Sequence, residues 1–302
     1  MAERHNLVSV NDFAAPLACH SNLSELIESL PRIHAGNTIR GMLSALIKAR
    51  TKGRPVYLGM GAHVIKCGLA PALLPLFDAK ALNGLALNGA GAIHDFELAA
   101  FGETSEDVSK ELPHGRFGFV EETGAWMSEA IVAGAKAGHG LGEALYIFMK
   151  NQPERFPHRN ISFLWKTGEL KLPCTVHVAI GTDFIHLHPA MDGSSLGATT
   201  FEDFNRFCDM VETLEGGVYW NLGSAVVLPE VFLKAVSRAH NTGNHLHGMS
   251  TINMDMLMQY RATTNVIKRP CSGIGQGFHL TGHHEIMVPI VAGAFLEGLQ
   301  SS

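Results

Sequence analysis

Leu58-Gly-Met-Gly-Ala-His-Val-Ile-Lys-Cys-Gly-Leu69 follows a short apolar run, Pro55 to Leu58, and leads into a segment with helical spacing. A second stretch of the same design, Leu87-Asn-Gly-Ala-Gly-Ala-Ile-His-Asp-Phe-Glu97, comes about thirty residues later. A strand that ends in small residues and opens a helix leaves backbone N–H groups unpaired at a positive helix terminus, which suits an anionic ligand. Two such turns at the ends of neighbouring parallel strands build the nucleotide crevice of a doubly wound α/β sheet. Neither is G-x-G-x-x-G or a phosphate loop, so ordinary tight turns fit the same residues equally well.

Outward from these turns, strands alternate with helices. Residues 22–33 and 37–50 have helical spacing. In the second segment Asn37 is a cap candidate, Ile39, Met42, Leu43, Leu46 and Ile47 share one face, and Gly53 lies beyond the end. Val56–Met60 reads as a strand, and 64–77 as a helix that Pro71 and Pro75 must shorten or kink. A strand over 82–87 and helices over 92–100, 121–136, 142–149 and 161–165 follow. The second half repeats the rhythm with a β-prone run over 173–180, a helix over 202–214, and Val218–Leu222 with its tight exit Gly223-Ser-Ala225. A helix over 230–240 opened by Pro229, a strand over 244–252 and a closing helix over 286–299 complete it. The alternation predicts an α/β fold, a doubly wound, mainly parallel Rossmann-like sheet covered on both faces.

With 302 residues, 46% hydrophobic and 17% charged, the chain can bury a large core. No Pro/Ser-rich linker, charge block or low-complexity run divides it. The expectation is an N-terminal arm and helix over 1–36 and one domain over 37–302. A formal charge of −5 argues against nucleic acid, which leaves a basic footprint. The longest apolar run, 286–295, contains Pro289 and falls short of the roughly 20 residues of a membrane span. The first 22 residues carry His, Glu, Asp and Pro with no continuous apolar stretch, which argues against a secretory signal. Cys19, Cys67, Cys174, Cys208 and Cys271 are scattered without C-x-x-C, as in a cytoplasmic protein with reduced thiols.

Taken in order, these segments resemble deoxyhypusine synthase. The resemblance is carried by Leu58-Gly-Met-Gly-Ala-His-Val-Ile-Lys-Cys-Gly68, Asn88-Gly-Ala-Gly-Ala-Ile-His-Asp95, Gly223-Ser-Ala225, Lys268 and Gly282-His-His-Glu-Ile-Met-Val-Pro289. It implies a Rossmann-like homotetramer that uses NAD to oxidise a polyamine and passes an aminoalkyl group to an acceptor amine, a protein lysine in that family. It assigns the cofactor to Gly59, Gly61, Asn88, Gly89, Ala90, Gly91, Asp95, Gly223, Ser224, Thr251, His284 and Glu285. It gives Lys268 the role of nucleophile. Either Asp192, in Asp192-Gly-Ser-Ser-Leu-Gly197, or Asp183 matches the substrate aspartate, and Asp255 joins them. Val266 and Ala262 stand where the family has tryptophan and glutamate, and Ala62 and His63 where it has serine and asparagine. The resemblance therefore implies a divergent member with a different amine or acceptor, either a protein or a free diamine.

The residues themselves leave several chemistries open. Attack by Lys268 on an imine needs a neutral amine, hence burial or a neighbouring cation. A cationic amine should meet carboxylates in a cleft, and Asp95, Asp183, Asp192, Asp255 and Glu285 lie near expected strand ends, although such aspartates commonly cap helices. His94 and His283 abut small-residue turns and are the acid–base candidates. Among 17 histidines, the pairs His186/His188 and His245/His247 would each share one strand face, and His279, His283 and His284 crowd the last turn. Three or four converging imidazoles and carboxylates could hold zinc. Three hypotheses result: an NAD-dependent aminoalkyl transferase, a metal-dependent hydrolase or lyase, and a non-catalytic nucleotide-binding protein.

Overall fold

The computed structural model describes residues 9–17, 19, 21–115 and 117–301. Helices α1 (Leu23–Ser29) and α2 (His34–Thr51) precede β1 (Val56–Met60). Next come α3 (Ala62–Lys66), α4 (Ala70–Asp78), β2 (Gly84–Asn88), α5 (Gly89–Phe101) and the short α6 (Val108–Glu111). Helices α7 (Glu121–Ala137), α8 (Leu141–Asn151) and α9 (Phe163–Glu169) lead to β3 (Cys174–His177), and α10 (Gly193–Glu212) to β4 (Val218–Leu222). Helix α11 (Val227–Asn241) joins β4 to β5 (Ser250–Asp255). A crossover of α12 (Tyr260–Ala262), a π-helical turn (Thr263–Lys268) and α13 (Arg269–Cys271) reaches β6 (Gln276–Thr281), and α14 (His284–Gln300) closes the chain.

The six strands form one all-parallel sheet in the order β3-β2-β1-β4-β5-β6. The fold class expected from the alternation is therefore correct. Strands β1, β2, β4 and β5 are buried on both faces, as parallel strands between helix layers must be, whereas edge strand β6 is partly exposed. Leu58, Trp220, Ile252 and Leu280 pack under α2, α4, α9 and α14, whereas Tyr57, Ala86 and Tyr219 pack under α10 and α11. Tyr219 stacks on Phe232 with ring centroids 3.9 Å apart, a pairing that adds about 0.5–1.5 kcal/mol beyond its burial.

Several boundaries differ from expectation for local reasons. The helix expected over 64–77 is two helices, because Gly68 at φ +71° turns the chain and Pro71 suits the first turn of α4. The strand expected over 173–180 stops at His177, and the one expected over 244–252 begins only at Ser250, after the turn through Leu246 and Gly248 at positive φ. Strand β6 is implied by the resemblance of Gly282–Pro289 to a closing strand-to-helix turn, but the residues themselves give it no range. Its edge position leaves it partly exposed, so it lacks a continuous apolar run. No helix among the described residues is long and apolar enough to cross a membrane.

Candidate active site

A doubly wound sheet binds ligands outside the carboxyl ends of its strands, where the winding reverses. Here that point lies between β1 and β4. The loops leaving these strands are laced together: Gly61 N–H donates to Leu222 O at 2.9 Å, Gly223 N–H to Met254 O at 2.8 Å, and Gly282 N–H to Asp255 O at 3.1 Å. A Cβ on Gly61 would overlap the Gly223 carbonyl oxygen, and Gly223 itself has φ +65°. The two loops can approach each other this closely because glycine keeps side chains out of their contact.

His284, the first residue of α14, packs against the Gly223 turn at this reversal and is 1% exposed. Its Nε2 lies 3.7 Å from Asp255 Oδ1 and 2.9 Å from where a Gly223 Cβ would stand. Neither ring nitrogen has a hydrogen-bond partner among the described residues. Burial lowers the His284 pKa against the opposing pull of Asp255, so the ring is held toward its neutral form. His63 approaches with its ring centroid 5.8 Å away, and its Nε2 lies 3.3 Å from Cys67 Sγ.

A polar ladder runs across the sheet from the buried interior to its exposed edge. Asn221, Asn253 and His279 are register partners on β4, β5 and β6. Asn221 Nδ2 donates to Asn253 Oδ1 at 2.7 Å, Asn253 Nδ2 to His279 Nδ1 at 2.9 Å, and His279 Nε2 lies 2.9 Å from Thr281 Oγ1. Sequence reading missed the two asparagines. The signal was present as Trp220-Asn-Leu222, Ile252-Asn-Met254 and Phe278-His-Leu280, a polar residue between apolar ones in three successive strands.

The ends of β2 and β3 build a second sector. Asn88 caps α5, its Oδ1 accepting from Gly91 N at 2.9 Å. Asp183 lays its carboxylate against Gly89 so closely that any Cβ there would overlap Oδ2. Burial pushes the Asp183 carboxyl pKa up, and the neighbouring His186 and His94 act against that shift. A cavity of about 570 Å³ opens beside them, lined among others by Lys66, Ala90, His94, Asp183 and His186. His186 Nδ1 accepts from Gly181 N at 3.0 Å and faces Asp183 N at 3.3 Å.

Other expected site residues are committed elsewhere. Gly59 lies inside β1, where the absence of a side chain makes room for the Tyr219 ring. Thr251 is near the start of β5, with Oγ1 3.1 Å from Cys271 Sγ. Asp95 is 1% exposed and serves the start of α9, accepting from Ser162 Oγ at 2.6 Å, Phe163 N at 2.8 Å and Leu164 N at 3.0 Å. Asp192 caps α10 through Ser194 N and Ser195 N. Ser224 is buried, with Oγ accepting from Leu228 N and its carbonyl from Asn221.

Lys268 is exposed at the end of the π-helical turn. It closes the run of α12 and the π-helical turn, thirteen residues beyond the end of β5 at Asp255. The turn finishes beside the start of β6, where Ile267 touches Gly277. Within one chain Lys268 is therefore exposed near the start of β6, without the burial that would favour a neutral amine.

His186 and His188 lie in and just after a 3-10 turn instead of on a strand, and buried His188 places Nε2 3.3 Å from Glu121 Oε2. His245 and His247 are exposed in the loop before β5, at the opposite end of the sheet. His283 and Glu285 are exposed, 3.8 Å apart, with His283 lining an apolar cavity of about 530 Å³ between α2 and α14. Among the described residues no group of three or more His, Cys, Asp or Glu is arranged to hold a metal ion.

No protein-family model and no curated protein matches this chain. Among solved structures it is similar to one assigned to deoxyhypusine synthase of Entamoeba histolytica, with TM-score 0.50 and 12% identity over 92% of this chain and 94% of that one. It is also similar to AgrE in its ternary complex with ornithine and NAD+, with TM-score 0.52 and 14% identity over 90% of this chain and 34% of that one. ArgZ, an arginine dihydrolase from the ornithine–ammonia cycle in cyanobacteria, gives TM-score 0.49 and 13% identity over 89% of this chain and 33% of that one. The chain thus spans about a third of the length of AgrE and ArgZ. At these identities the shared property is the Rossmann-like α/β fold.

Proposed function

We propose that this protein is an NAD-dependent enzyme that oxidises the amine-bearing carbon of a small amine, a polyamine or an ornithine-like diamine, and passes the resulting aminoalkyl group to a second amine. The observation that carries the reading is His284, buried at the β1/β4 reversal with both ring nitrogens unpartnered beside Asp255 and Gly223. Leaving such a group unpaired costs about 1–3 kcal/mol, a cost that a ligand with one donor and one acceptor would remove. A neutral imidazole has one donor and one acceptor on diverging edges, so a primary carboxamide would satisfy one of the two nitrogens.

The residues present fit the cofactor in kind. The start of the thirteen-residue α5, capped by Asn88, would offer its N–H groups to the phosphates, and His284 would hold the carboxamide through one ring nitrogen. When bound, NAD supplies the hydride acceptor. The chain's own residues do the rest. Asp183 would pair with the substrate ammonium, with Ile93 and Phe184 supplying apolar lining beside it. Loss of hydride from the carbon and of a proton from nitrogen gives the imine. The acceptor amine adds to that carbon, the donor's original nitrogen fragment leaves with a proton as a free amine, and return of the hydride to the new C=N carbon gives the transferred product, with no covalent intermediate on Lys268. The shared fold with AgrE, which binds NAD+ and ornithine, supports the cofactor and the diamine class.

The test is to mix purified protein with NAD and a panel of polyamines and diamines while following reduced nicotinamide absorbance. One responding amine supports the reading. Stoichiometric zinc together with a silent panel would instead favour the metal-dependent alternative.

A further inference from the structure

His94 sits on α5, three residues before Glu97, and lines the cavity beside Asp183. After α5 ends at Gly102 in the left-handed conformation, the chain folds back and sets Thr104 between these two side chains. Thr104 Oγ1 donates to Glu97 Oε2 at 2.5 Å and lies 2.7 Å from His94 Nδ1. Thr123, arriving on α7, donates its own hydroxyl to Glu97 Oε1 at 3.1 Å. Glu97 is 6% exposed, so both carboxylate oxygens receive hydroxyl protons in a buried setting.

Proton accounting then determines the imidazole. A threonine hydroxyl has one hydrogen, and Thr104 gives it to the carboxylate, which can only accept. Its oxygen must therefore accept from His94 Nδ1–H. A neutral ring protonated at Nδ1 carries its lone pair on Nε2, on the side away from Thr104.

The geometry points to a Glu97–Thr104–His94 relay in which Glu97 and Thr104 are positioning residues that fix the tautomer, and His94 Nε2 is the proton acceptor for the ligand of this cavity. On the function proposed above, whose assignment to amine oxidation this step rests on, Nε2 takes the substrate N–H proton as the carbon loses hydride. The nitrogen lone pair left behind forms the C=N bond, and the imidazolium is stabilised by the Thr104 oxygen and, at 3.7 Å, by Glu97. Unlike the reaction, the tautomer is a property of the protein alone.

The experiment is long-range ¹H–¹⁵N correlation of histidine side chains in the ¹⁵N-labelled full chain, at about pH 8.5, well above the ordinary imidazole value. The His94 pattern is assigned by its loss in His94→Gln. Wild type is expected to show protonated Nδ1 and bare Nε2, Thr104→Val to shift the ring toward the Nε2–H form, and Thr104→Ser to restore the wild-type pattern. An Nε2–H tautomer in wild type, or one indifferent to Thr104→Val, overturns the relay. Should Thr104→Val fail to fold, Glu97→Gln gives the same readout, because its amide can donate to Thr104 and reverse the chain. If the tautomer behaves as stated while no amine reduces NAD, the relay stands and the reaction assigned to it falls.

Discussion

His284 Nε2 faces Asp255 Oδ1 across 3.7 Å, too long for a hydrogen bond, while both ring nitrogens stay unpartnered among the described residues. Both side chains are set by regular elements. The start of α14 holds the imidazole, and the last residue of β5 holds the carboxylate, which also accepts from Met256 N at 2.7 Å. A residue kept in this state by the fold trades stability for binding. His284→Leu should therefore raise the stability of the ligand-free protein by about 1–3 kcal/mol in urea unfolding, the range for removing buried unsatisfied polar groups. A loss of stability would show that the ring is paired in solution.

The two ends of the glycine scale predict opposite signs. Gly61→Ala sets a methyl against the Gly223 carbonyl, a backbone atom with no rotamer of escape, and should cost about 1–3 kcal/mol. Gly197→Ala, inside α10 with open space around its Cβ position, should instead gain about 0.5–1 kcal/mol from reduced unfolded-state entropy. Thermal or urea unfolding of the two variants side by side checks both.

Acid should expose His177. This ring is buried on β3 with Nε2 3.0 Å from Thr175 Oγ1 and its edge against Phe207. Burial lowers its pKa to about 3. Because the folded value lies below the ordinary 6.5, the unfolded chain binds more protons, and stability is lost as pH falls through 6.5 toward 3. At pH 5, about 1.5 units below the ordinary value, the loss is about 2 kcal/mol. Asp95 and Asp203 work in the opposite direction, since burial raises them to about 6 and about 7. The wild-type profile is therefore a sum. Comparison with His177→Gln isolates the histidine, and the variant should gain about 2 kcal/mol relative to wild type between about pH 7.5 and pH 5.

Lys268→Ala should leave amine-dependent NADH formation unchanged and stability within about 0.5 kcal/mol, as for an exposed surface residue. His94→Gln should lower the rate by roughly 10²–10⁴-fold, the usual contribution of a positioned base. Steady-state rates on the same preparation separate the two, and a collapse with Lys268→Ala would reinstate a covalent imine.

The fold was legible because its signals are local. Apolar runs ending in Gly or Asn, each followed by helical spacing, marked β1, β2 and β4 and the glycines at their ends. Which polar side chains meet was not legible, because that depends on strand register and helix ends far apart in sequence. Asp183 and Asp192 looked interchangeable as strings, yet one reaches Gly89 and the other caps α10. Asp95 follows the cofactor-like turn directly, but the turn of α5 points it at the start of α9. Thr104 and Glu97 gave no sequence signal, since their meeting needs the reversal at Gly102.

The most direct test is calorimetric titration of NAD into wild type and into His284→Leu. Binding at the β1/β4 reversal requires measurable affinity in wild type and a marked loss in the variant, with thermal unfolding showing that the variant is still folded. At a hundredfold excess over Kd the cofactor should also stabilise wild type by about 2.7 kcal/mol. Absence of NAD binding to wild type, or equal affinity for both proteins, would contradict a cofactor seated against His284.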